Sequence, residues 1–530
     1  MERNASRGAL LDHHHAAVFG RSIYLEATLM ANLQNMAVLI LGLGQSGLAM
    51  ARWCARAGAR VTVADTREAP LNLEGLHAEL PGVQFIGGAF TDQLLAGSEI
   101  RAVFVSPGLS PAQTAPVLIA ARALGLSVCS EVSLFSQALE ALAIEQNYRP
   151  KLLAITGTNG KTTVTSLTGQ LVERSGKSVA VAGNIGPSLL DTLAQHIDAK
   201  TLPDVWVLEL SSFQLNDGDD FSPTLGTVLN LSQDHLDWHG SMQAYAAAKS
   251  KVFGKEGPML LNRGDKQVMA MLPGLVKGKQ LREYTTFGTD IPARPGDFGL
   301  ETANGMTWLV KALEADETRR RRKDDAQEVF IQRLIPADAL RIRGRHNALN
   351  ALASLALALA TDCALGPILY GLREYRGEPH RVESIGIVND IEYFDDSKGT
   401  NVGATVAALD GLGHEQKLIV ILGGEGKGQD FAPLISPVGR YTRAVVLIGK
   451  AADAIALALS SLAIPVERAG SIQEAVQIAN RHAHAGDAVL MSPACASFDM
   501  FKNYEHRAQV FRDAVKALAA DTSVVVEKTA

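Results

Sequence analysis

The stretch "LLAITGTNGKTT", residues 152–163, reads as a buried strand that runs into a glycine-rich turn and then into a helix. Gly157 and Gly160 allow the backbone to wrap a chain of phosphates with its N–H groups. Lys161 supplies a positive charge beside the outer phosphates, and Thr162 supplies a hydroxyl for Mg²⁺. The position six residues before Lys161 is isoleucine instead of the glycine of the strict pattern, but the strand–loop–helix context is that of a phosphate loop. The stretch therefore predicts a P-loop-type ATP-binding domain.

Short runs of Val, Ile and Leu alternate with segments of helical length on both sides of this loop, which is typical of parallel sheets with crossover helices. The runs before it are AVLILG, RVTVAD, VQFIG and RAVFVSPG; those around it are KLLAITG, SVAVAGN, DVWVLELSS and GTVLNLS; those after it are KLIVILGG, AVVLIGK and DAVLMSP. The three series do not repeat one another. We therefore predict an α/β protein with a Rossmann-like domain over 36–140, a central P-loop-type ATPase domain over 141–377 and a second Rossmann-like domain over 378–530, preceded by a disordered extension over 1–35.

Composition excludes several other classes of protein. The net charge of −6 gives no reason to expect a nucleic-acid partner. The four cysteines form no C-x-x-C pair, which fits a reducing cytoplasm. The stretch ALASLALALA is too short to cross a bilayer, so no membrane partner is expected. The histidines at 13–15 and the arginines at 319–322 could bind a metal or phosphates, but we interpret them as part of the extension and as a solvated loop.

A second glycine pattern lies in "VLILGLGQSG", residues 38–47. Gly42, Gly44 and Gly47 have the G-x-G-x-x-G spacing, and Asp65 ends the next apolar run. Such a turn at a helix N-terminus binds a pyrophosphate. Because a nicotinamide dinucleotide and a sugar nucleotide both carry one, the motif alone leaves both ligands open.

Three polar residues follow buried runs downstream of the phosphate loop. Glu209 ends "VWVLE", where it suits a Mg²⁺ ligand or a solvated strand end. His235 lies just beyond another strand and would be unremarkable alone. Lys249 lies on an amphipathic helix, where a lysine is usually a surface charge.

Nine motifs occur in the order in which Mur ligases carry them. They are GTNGKTT, LELSSFQL, SQDHLDWH, AYAAAKSKVF, GRHNALNAL, EPHR, DDSKGTN, GGEGKGQDF and SPACASFDMFKNYEHR. The chain thus resembles the Mur ligase family over about residues 36–525, and SSFQL, DSKGTN and SPACASFDMFKN resemble its D-glutamate-adding members. Other motifs are shared with the remaining Mur ligases and with folylpolyglutamate synthase, so another amide ligase of these kinds is the nearest alternative. An NAD-dependent dehydrogenase and a nucleotide-binding protein without turnover are more distant ones.

The resemblance implies ATP-dependent ligation of D-glutamate to UDP-N-acetylmuramoyl-L-alanine through an acyl phosphate, in cytoplasmic peptidoglycan precursor synthesis by a monomer. It implies ATP contacts at Gly157, Thr158, Asn159, Gly160, Lys161, Thr162, Thr163, Asn347, Asn350, Arg381 and Asp396. It implies that two Mg²⁺ ions are held by Thr162, Glu209, His235 and an N-carbamate on Lys249. The implied UDP-substrate residues are Gly44, Gln45, Ser46, Asp65, Thr66, Arg67, Gly108, Asn184 and His235. Those for D-glutamate are Lys398, Thr400, Lys427, Ser497, Phe498 and Tyr504, the last standing where the family commonly has phenylalanine. The implied catalytic residues are Lys161, Glu209, His235, Lys249, Arg381 and Lys398, and His380 accompanies Arg381.

Overall fold

The computed structural model describes residues 33–216, 221–315 and 328–521. The histidine run at 13–15 and the arginine run at 319–322 lie outside these ranges. By its internal contacts the chain divides into two compact units. The first unit comprises the described parts of Met1–Ala154, Lys177–Gly226 and Ala247–Gly257, and the second those of Ile155–Gly176, Thr227–Ala246 and Pro258–Ala530.

The first sheet has five strands in the order β3-β2-β1-β4-β5, and every neighbouring pair is parallel. Its strands are β1 (Ala37–Leu41), β2 (Arg60–Asp65), β3 (Gln84–Gly87), β4 (Ile100–Val105) and β5 (Ser127–Cys129). Its helices are α1 (Gln45–Arg56), α2 (Leu73–Glu79), α3 (Pro111–Ala123) and α4 (Glu131–Gln146). The four strands predicted here are confirmed. A Cβ on Gly47 would lie 1.9 Å from the Gly42 carbonyl oxygen, so α1 leaves β1 at a distance that only glycine permits.

The second sheet has nine strands in the order β14-β13-β12-β11-β10-β9-β6-β8-β7. Its strands are β6 (Lys151–Thr156), β7 (Val179–Gly183), β8 (Val205–Glu209), β9 (Leu225–Val228), β10 (Met259–Asn262), β11 (Tyr284–Phe287), β12 (Phe298–Ala303), β13 (Met306–Glu314) and β14 (Val329–Pro336). The four predicted strands β6 to β9 are confirmed. The last three strands pair antiparallel and were not predicted.

The helices associated with this sheet include two that carry predicted site residues at their first turns. The helices are α5 (Lys161–Arg174), α6 (Leu189–Ala199), α7 (Ser212–Asn216), α8 (Leu236–His239), α9 (Met242–Ser250), α10 (Lys266–Met269), α11 (Arg345–Leu359) and α12 (Leu365–Glu374). Helix α5 begins directly after the phosphate loop, and α11 begins directly after Gly344.

The third sheet has six strands in the order β15-β16-β20-β17-β18-β19, with β15 antiparallel to β16. Its strands are β15 (Glu383–Val388), β16 (Ile391–Asp395), β17 (Leu418–Gly423), β18 (Thr442–Ile448), β19 (Val466–Arg468) and β20 (Ala488–Met491). Its helices are α13 (Val402–Leu412), α14 (Ile435–Tyr441), α15 (Ala452–Ala458), α16 (Ile472–His482) and α17 (Tyr504–Asp521). Strand β17 is apolar at every position before its final glycine because one core cluster covers Leu418, Val420 and Leu422 while another covers Ile419 and Ile421.

No helix among the described residues is long and apolar enough to span a membrane. In all three sheets the parallel strands end at a common edge, which is where open α/β sheets bind ligands. The phosphate loop follows β6, the Gly44 turn follows β1, and the "GGEGKGQDF" loop follows β17.

Candidate active site

The phosphate loop is closed on itself by its own lysine. The Lys161 Nζ donates to the carbonyl oxygens of Gly157 and Thr158, both at 3.0 Å. Gly160 has φ +86°, and a Cβ there would lie 2.6 Å from Oδ1 of Asn350. This turn therefore requires glycine, and the backbone N–H groups at the start of α5 remain close to the first turns of α11.

The two asparagines predicted to contact ATP, Asn347 and Asn350, form a chain at the beginning of α11. Asn350 Nδ2 donates to Asn347 Oδ1 at 3.1 Å, and Asn347 Nδ2 donates to the Arg343 carbonyl at 2.8 Å. Asn347 is buried. Because Asn350 also abuts Gly160, the structure brings these asparagines and the phosphate loop together, as the ATP assignment requires.

Arg381 reaches the same loop from the segment before the third sheet. Its guanidinium donates to the Thr162 hydroxyl at 2.5 Å. A hydroxyl oxygen has two lone pairs, so this bond leaves one for a metal ion. Asp396 is buried, and its Oδ1 accepts from the Val382 N–H next to Arg381 at 3.2 Å. Burial raises the pKa of Asp396 to about 7, against the hydrogen bond from Ser492. A carboxyl with a raised pKa offsets less of the positive charge of Arg381 than an ordinary aspartate would.

His380 belongs to a charged network that the sequence did not reveal. Its Nδ1 lies 2.7 Å from Asp395 Oδ2, and its backbone N–H donates to Glu383. These three side chains have the spacing of metal ligands, but the Arg512 guanidinium bonds to Glu383 and lies 3.3 Å from Asp395 Oδ2. Burial raises the pKa of Asp395, and the hydrogen bonds from His380 and Ser397 outweigh that rise and lower it. The cluster is therefore a hydrogen-bonded ion network that orients His380.

The predicted D-glutamate residues are joined in two pairs by the contacts of the structure. The Lys398 ammonium lies 3.9 Å from the ring centroid of Tyr504, and the Lys427 ammonium lies 5.8 Å from that of Phe498. Phe498 is 65% exposed, which leaves its pair open to solvent. The remaining two members are Thr400, whose N–H donates to the Lys398 carbonyl, and Ser497, which is buried.

The loops that carry these pairs are tied together by backbone. Glu425 and Ala496 exchange two backbone hydrogen bonds, of 2.8 and 3.1 Å. The side chain of Arg507 is completely buried beneath them and donates to the carbonyls of Ser397 and Cys495. Arg507 lies in the quoted motif "KNYEHR", but no pattern in the sequence indicates that an arginine there is buried.

In the first unit, the predicted UDP-substrate residues Asp65, Thr66 and Arg67 form a tight local structure. Asp65 is 1% exposed, and its carboxylate accepts from the Leu43 N–H at 2.7 Å and from both the backbone and the guanidinium of Arg67. Burial raises the pKa of Asp65, but these hydrogen bonds outweigh it and lower the pKa to about 2. Thr66 between them is exposed. The ionised Asp65 thus fixes the turn after β1 to the end of β2.

The turns after β1 and β4 meet at the same edge of the first sheet. A Cβ on Gly44 would lie 3.7 Å from the Ser106 hydroxyl, and a Cβ on Gly108 would meet nothing within 4 Å. Gln45 and Ser46 open α1 beside them. The backbone therefore leaves open space where the resemblance expects a pyrophosphate.

Glu209 and Asn184 form a second polar pair in the first unit. Asn184 Nδ2 donates to Glu209 Oε1 at 2.9 Å. Glu209 is 2% exposed, and its Oε2 is buried without a hydrogen-bond partner among the described residues. A buried carboxylate oxygen in that state fits a metal ligand better than a solvated strand end.

The structure shows that Lys249 is buried and that His235 is exposed at the start of α8. Lys249 is 2% exposed, so its interpretation as a surface charge is wrong. His235 has φ +52° at the start of α8, a 46% exposed side chain, and an Nε2 that lies 3.6 Å from Asp234 Oδ2.

Asn401 is a further residue that the sequence did not single out. Its side chain caps α13 by accepting from the Ala404 N–H at 2.8 Å, and it also bonds to Asn159 of the phosphate loop. An asparagine before a helix predicts a cap. The second contact depends on tertiary structure, which no local pattern encodes.

The known proteins that this chain matches belong to one family. Family models match residues 36–130 (Mur ligase MurD-like, N-terminal domain), 155–358 (Mur ligase middle domain) and 380–495 (Mur ligase, glutamate ligase domain). The chain belongs to the Mur ligase family. It is 66% identical over 505 residues to the UDP-N-acetylmuramoylalanine–D-glutamate ligase of Albidiferax ferrireducens, covering 94% of this chain and all of that one. It is 57% identical to the protein of the same name from a Polaromonas species, with the same two coverages.

Solved structures of the same family share the fold at low sequence identity. The MurF ligase of Thermotoga maritima, in complex with ADP, is 14% identical with a TM-score of 0.55, and covers 92% of this chain and 97% of that one. The UDP-N-acetylmuramate–alanine ligase of the same organism is 18% identical with a TM-score of 0.50, and covers 91% and 100%. The predicted three-domain α/β fold and the predicted enzyme class, an ATP-dependent amide ligase of peptidoglycan precursor synthesis, are confirmed, which decides against the dehydrogenase interpretation.

Proposed function

We propose that this enzyme joins D-glutamate to UDP-N-acetylmuramoyl-L-alanine with conversion of ATP to ADP and phosphate. The observation that carries the proposal is the convergence of Lys161, Asn350 and Arg381 on one phosphate loop. The names of relatives at 55–66% identity support the choice of amino acid and acceptor. The three matched segments support domain limits of 36–140, 141–377 and 378–530.

The chemistry begins with two anions that must approach each other. The γ-phosphoryl group passes from ATP to a carboxylate oxygen of the acceptor and gives an acyl phosphate. In our proposal Lys161 leaves the carbonyls of Gly157 and Thr158 when a nucleotide arrives, and Arg381 brings a second positive charge. Both cations stabilise the charge that develops on the transferring group.

The second step forms the amide bond. The amine nitrogen of D-glutamate attacks the acyl carbon, the C–O bond to phosphate breaks, and the nitrogen loses a proton. Lys398 and Lys427 are proposed to hold the carboxylates of D-glutamate, with Thr400 and Ser497 supplying hydroxyls and with Phe498 and Tyr504 as ring neighbours of the two lysines. Charge-assisted hydrogen bonds of this kind are stronger than neutral ones.

Magnesium ions are the expected cofactors, and the residues present fit them. The buried Oε2 of Glu209, which has no hydrogen-bond partner in the described part of the chain, and the Thr162 hydroxyl are oxygen donors of the type that Mg²⁺ prefers. His235 and a carbamate on the buried Lys249 would serve a second ion. When bound, the ions would neutralise charge on the phosphates. A carbamate is anionic and can ligate a metal, whereas the ammonium group of an unmodified lysine cannot.

The first sheet is proposed to bind the UDP part of the acceptor, through the turn at Gly44, Gln45 and Ser46, the Asp65–Arg67 corner and Gly108. Asn184 and His235 are assigned to its muramoyl-alanine part. We also propose that the enzyme acts as a monomer in the cytoplasm, with no nucleic-acid or membrane partner.

A phosphate-release assay tests the proposed function. Release of phosphate from ATP is expected only when UDP-N-acetylmuramoyl-L-alanine and D-glutamate are both present, and Lys161→Ala should abolish it without weakening calorimetric binding of the UDP substrate. Lys266→Ala, an exposed lysine on α10, is the matched control. Equal release with L-alanine or a dipeptide in place of D-glutamate would indicate another ligase. Tight NADH binding would overturn the assignment of the first sheet.

A further inference from the structure

Glu131 is a buried carboxylic acid in a segment that no family model covers. It is the first residue of α4, directly after the capping Ser130, and is 1% exposed. It lies just beyond the matched segment 36–130 and well before 155–358. Residues of this type are almost never fully buried unless they have partners, so its contacts call for an explanation.

Its contacts join two turns of the first unit. The Leu190 N–H, at the beginning of α6, donates to Glu131 Oε1 at 3.3 Å. Burial raises the pKa of Glu131, while hydrogen bonds from the Ser46 side chain and from the Leu189 and Leu190 backbone oppose that rise. Helix α1, whose first turn contains Ser46, packs against both α4 and α6. Because Glu131 is the first residue of α4 and accepts from the first turn of α6, it lies beside the Ser46 turn and the start of α6.

Helix α6 also fixes the position of the other proposed substrate residue in this unit. It begins five residues after Asn184, and the Asn184 side chain bonds to Glu209 at 2.9 Å. At the surface, α1 and α6 are linked by ion pairs from Arg52 to Asp191, at 3.1 Å, and from Arg56 to Asp198, at 2.6 Å. Ion pairs at the surface contribute little to stability. The buried contact is therefore the one able to fix the relative position of the two turns.

We infer that Glu131 is a positioning residue for the UDP substrate, which holds the Ser46 turn and the start of α6 in the arrangement needed to bind the diphosphate and the sugar together. This rests on the proposed function of the first sheet. The Oε2 atom of Glu131 is buried without a partner among the described residues, so a glutamine amide can replace the acid with its acceptor retained. An alanine would leave the Leu190 N–H at the beginning of α6 without its partner.

The test compares four variants by steady-state kinetics and by calorimetric titration with UDP-N-acetylmuramoyl-L-alanine. Glu131→Ala is expected to raise the KM and the Kd for the UDP substrate by about tenfold, which corresponds to about 1.4 kcal/mol, with the KM values for ATP and D-glutamate unchanged. Glu131→Gln should restore near-native values. Glu131→Asp, which is shorter by one methylene, should lie between them. Glu145→Ala, on the exposed part of the same helix, is the control.

The outcomes separate the inference from the proposed function. Failure of the unmodified enzyme to bind the UDP substrate would overturn the proposed function and the inference with it. Native binding with unchanged affinity in Glu131→Ala would overturn the inference alone. A uniform rise in all three KM values with a lowered Tm would assign Glu131 a purely structural role and also overturn it. If Glu131→Ala does not fold, an unchanged UDP-substrate affinity in Glu131→Asp would do the same.

Discussion

Asn159 in the phosphate loop and Asn401 before α13 exchange side-chain hydrogen bonds, with Asn159 Nδ2 donating at 3.3 Å and Asn401 Nδ2 donating at 3.1 Å. Asn401 also caps α13 through the Ala404 N–H. One buried amide thus supports both a helix in the third sheet's domain and the loop that is proposed to bind ATP. Substitutions can separate these two roles.

Asn401→Asp keeps the cap acceptor but removes the donor to Asn159 and places a carboxylate beside the phosphate loop. We expect a Tm close to that of the native enzyme, because the cap is kept. We expect a KM for ATP raised by about tenfold, because the new carboxylate lies beside the phosphate loop; tenfold corresponds to about 1.4 kcal/mol. Asn401→Ala should lose the cap as well, at about 1 kcal/mol. The measurements are thermal unfolding and ATP kinetics.

Ser471→Ala is the matched control for the two Asn401 variants. Ser471 caps α16 by accepting from the Glu474 N–H at 3.2 Å, and it makes no contact with the phosphate loop in the described structure. It should lose about 1 kcal/mol of stability with the KM for ATP unchanged. A native KM for ATP in Asn401→Asp would show that the paired amides are unimportant for the nucleotide.

Asp65 predicts a pH-dependent contribution to stability. The pKa of Asp65 is about 2 in the folded protein, against an ordinary 3.8. Because the pKa of Asp65 is lowered in the folded state, its ionised carboxylate stabilises the fold above about pH 4, and this stabilisation is lost as the pH falls through about 2. The difference corresponds to about 2 kcal/mol. Asp65→Asn should therefore lower the free energy of urea unfolding by about that amount at pH 7 and by progressively less towards pH 2.

The control for the pH series is Asp92→Asn, at an exposed position of the same domain, which should follow the native curve. A difference between Asp65→Asn and the native enzyme that stayed constant from pH 7 to pH 2 would mean that the charge of Asp65 is not the cause.

Lys249 combines a buried position with a side chain that is normally charged. Because an ammonium cannot ligate a metal and a carbamate can, Lys249→Ala is expected to lose most activity, and acetate or formate should restore part of it by occupying the vacated oxygen position. The native enzyme incubated with ¹³C-bicarbonate should show a carbamate resonance that the variant lacks.

Lys255→Ala, an exposed neighbour, should keep both its activity and the carbamate signal. A fully active Lys249→Ala, or a native enzyme with an unmodified amine under bicarbonate, would contradict the proposal.

The sequence predicts those parallel strands that are continuous apolar runs, because such runs are typical of strands buried on both faces. β6 and β17 are of this kind, whereas the parallel strands β5, β10, β11, β16 and β19 were not predicted. Strands β12 to β14 were missed for the opposite reason. β14 consists mostly of partly buried residues, contains polar residues in its middle and follows a charged run, so its pattern lacks a strong apolar signal.

For the candidate site, local motifs predict the loop around Lys161 because its backbone conformation follows from its own glycines. Residues whose role depends on distant contacts are not predictable in this way. A lysine in an amphipathic helix gives no sign of being buried, as Lys249 is, and a glutamate at a helix N-terminus reads as a solvated first-turn residue, which Glu131 is not. Burial is a property of the packed elements, which the local pattern does not carry.

Lys427 tests the assignment of the third domain to D-glutamate. It has φ +48° in the loop after β17, and backbone bonds between Glu425 and Ala496 bring this loop against the one that carries Phe498. The Lys427 ammonium lies 5.8 Å from the centroid of the exposed Phe498 ring. Among the described residues it forms no ion pair with an acidic side chain, so its positive charge is open to a ligand. Lys427→Ala should raise the KM for D-glutamate by about tenfold or more, because hydrogen bonds to charged groups contribute about 1.5–3 kcal/mol. The KM for ATP should stay native, and Lys427→Arg should recover part of the loss.

Lys450→Ala, an exposed lysine after β18, is the matched control and should leave all KM values native. A Lys427→Ala enzyme with a native KM for D-glutamate and a raised KM for ATP would transfer this lysine from the amino-acid site to the nucleotide site.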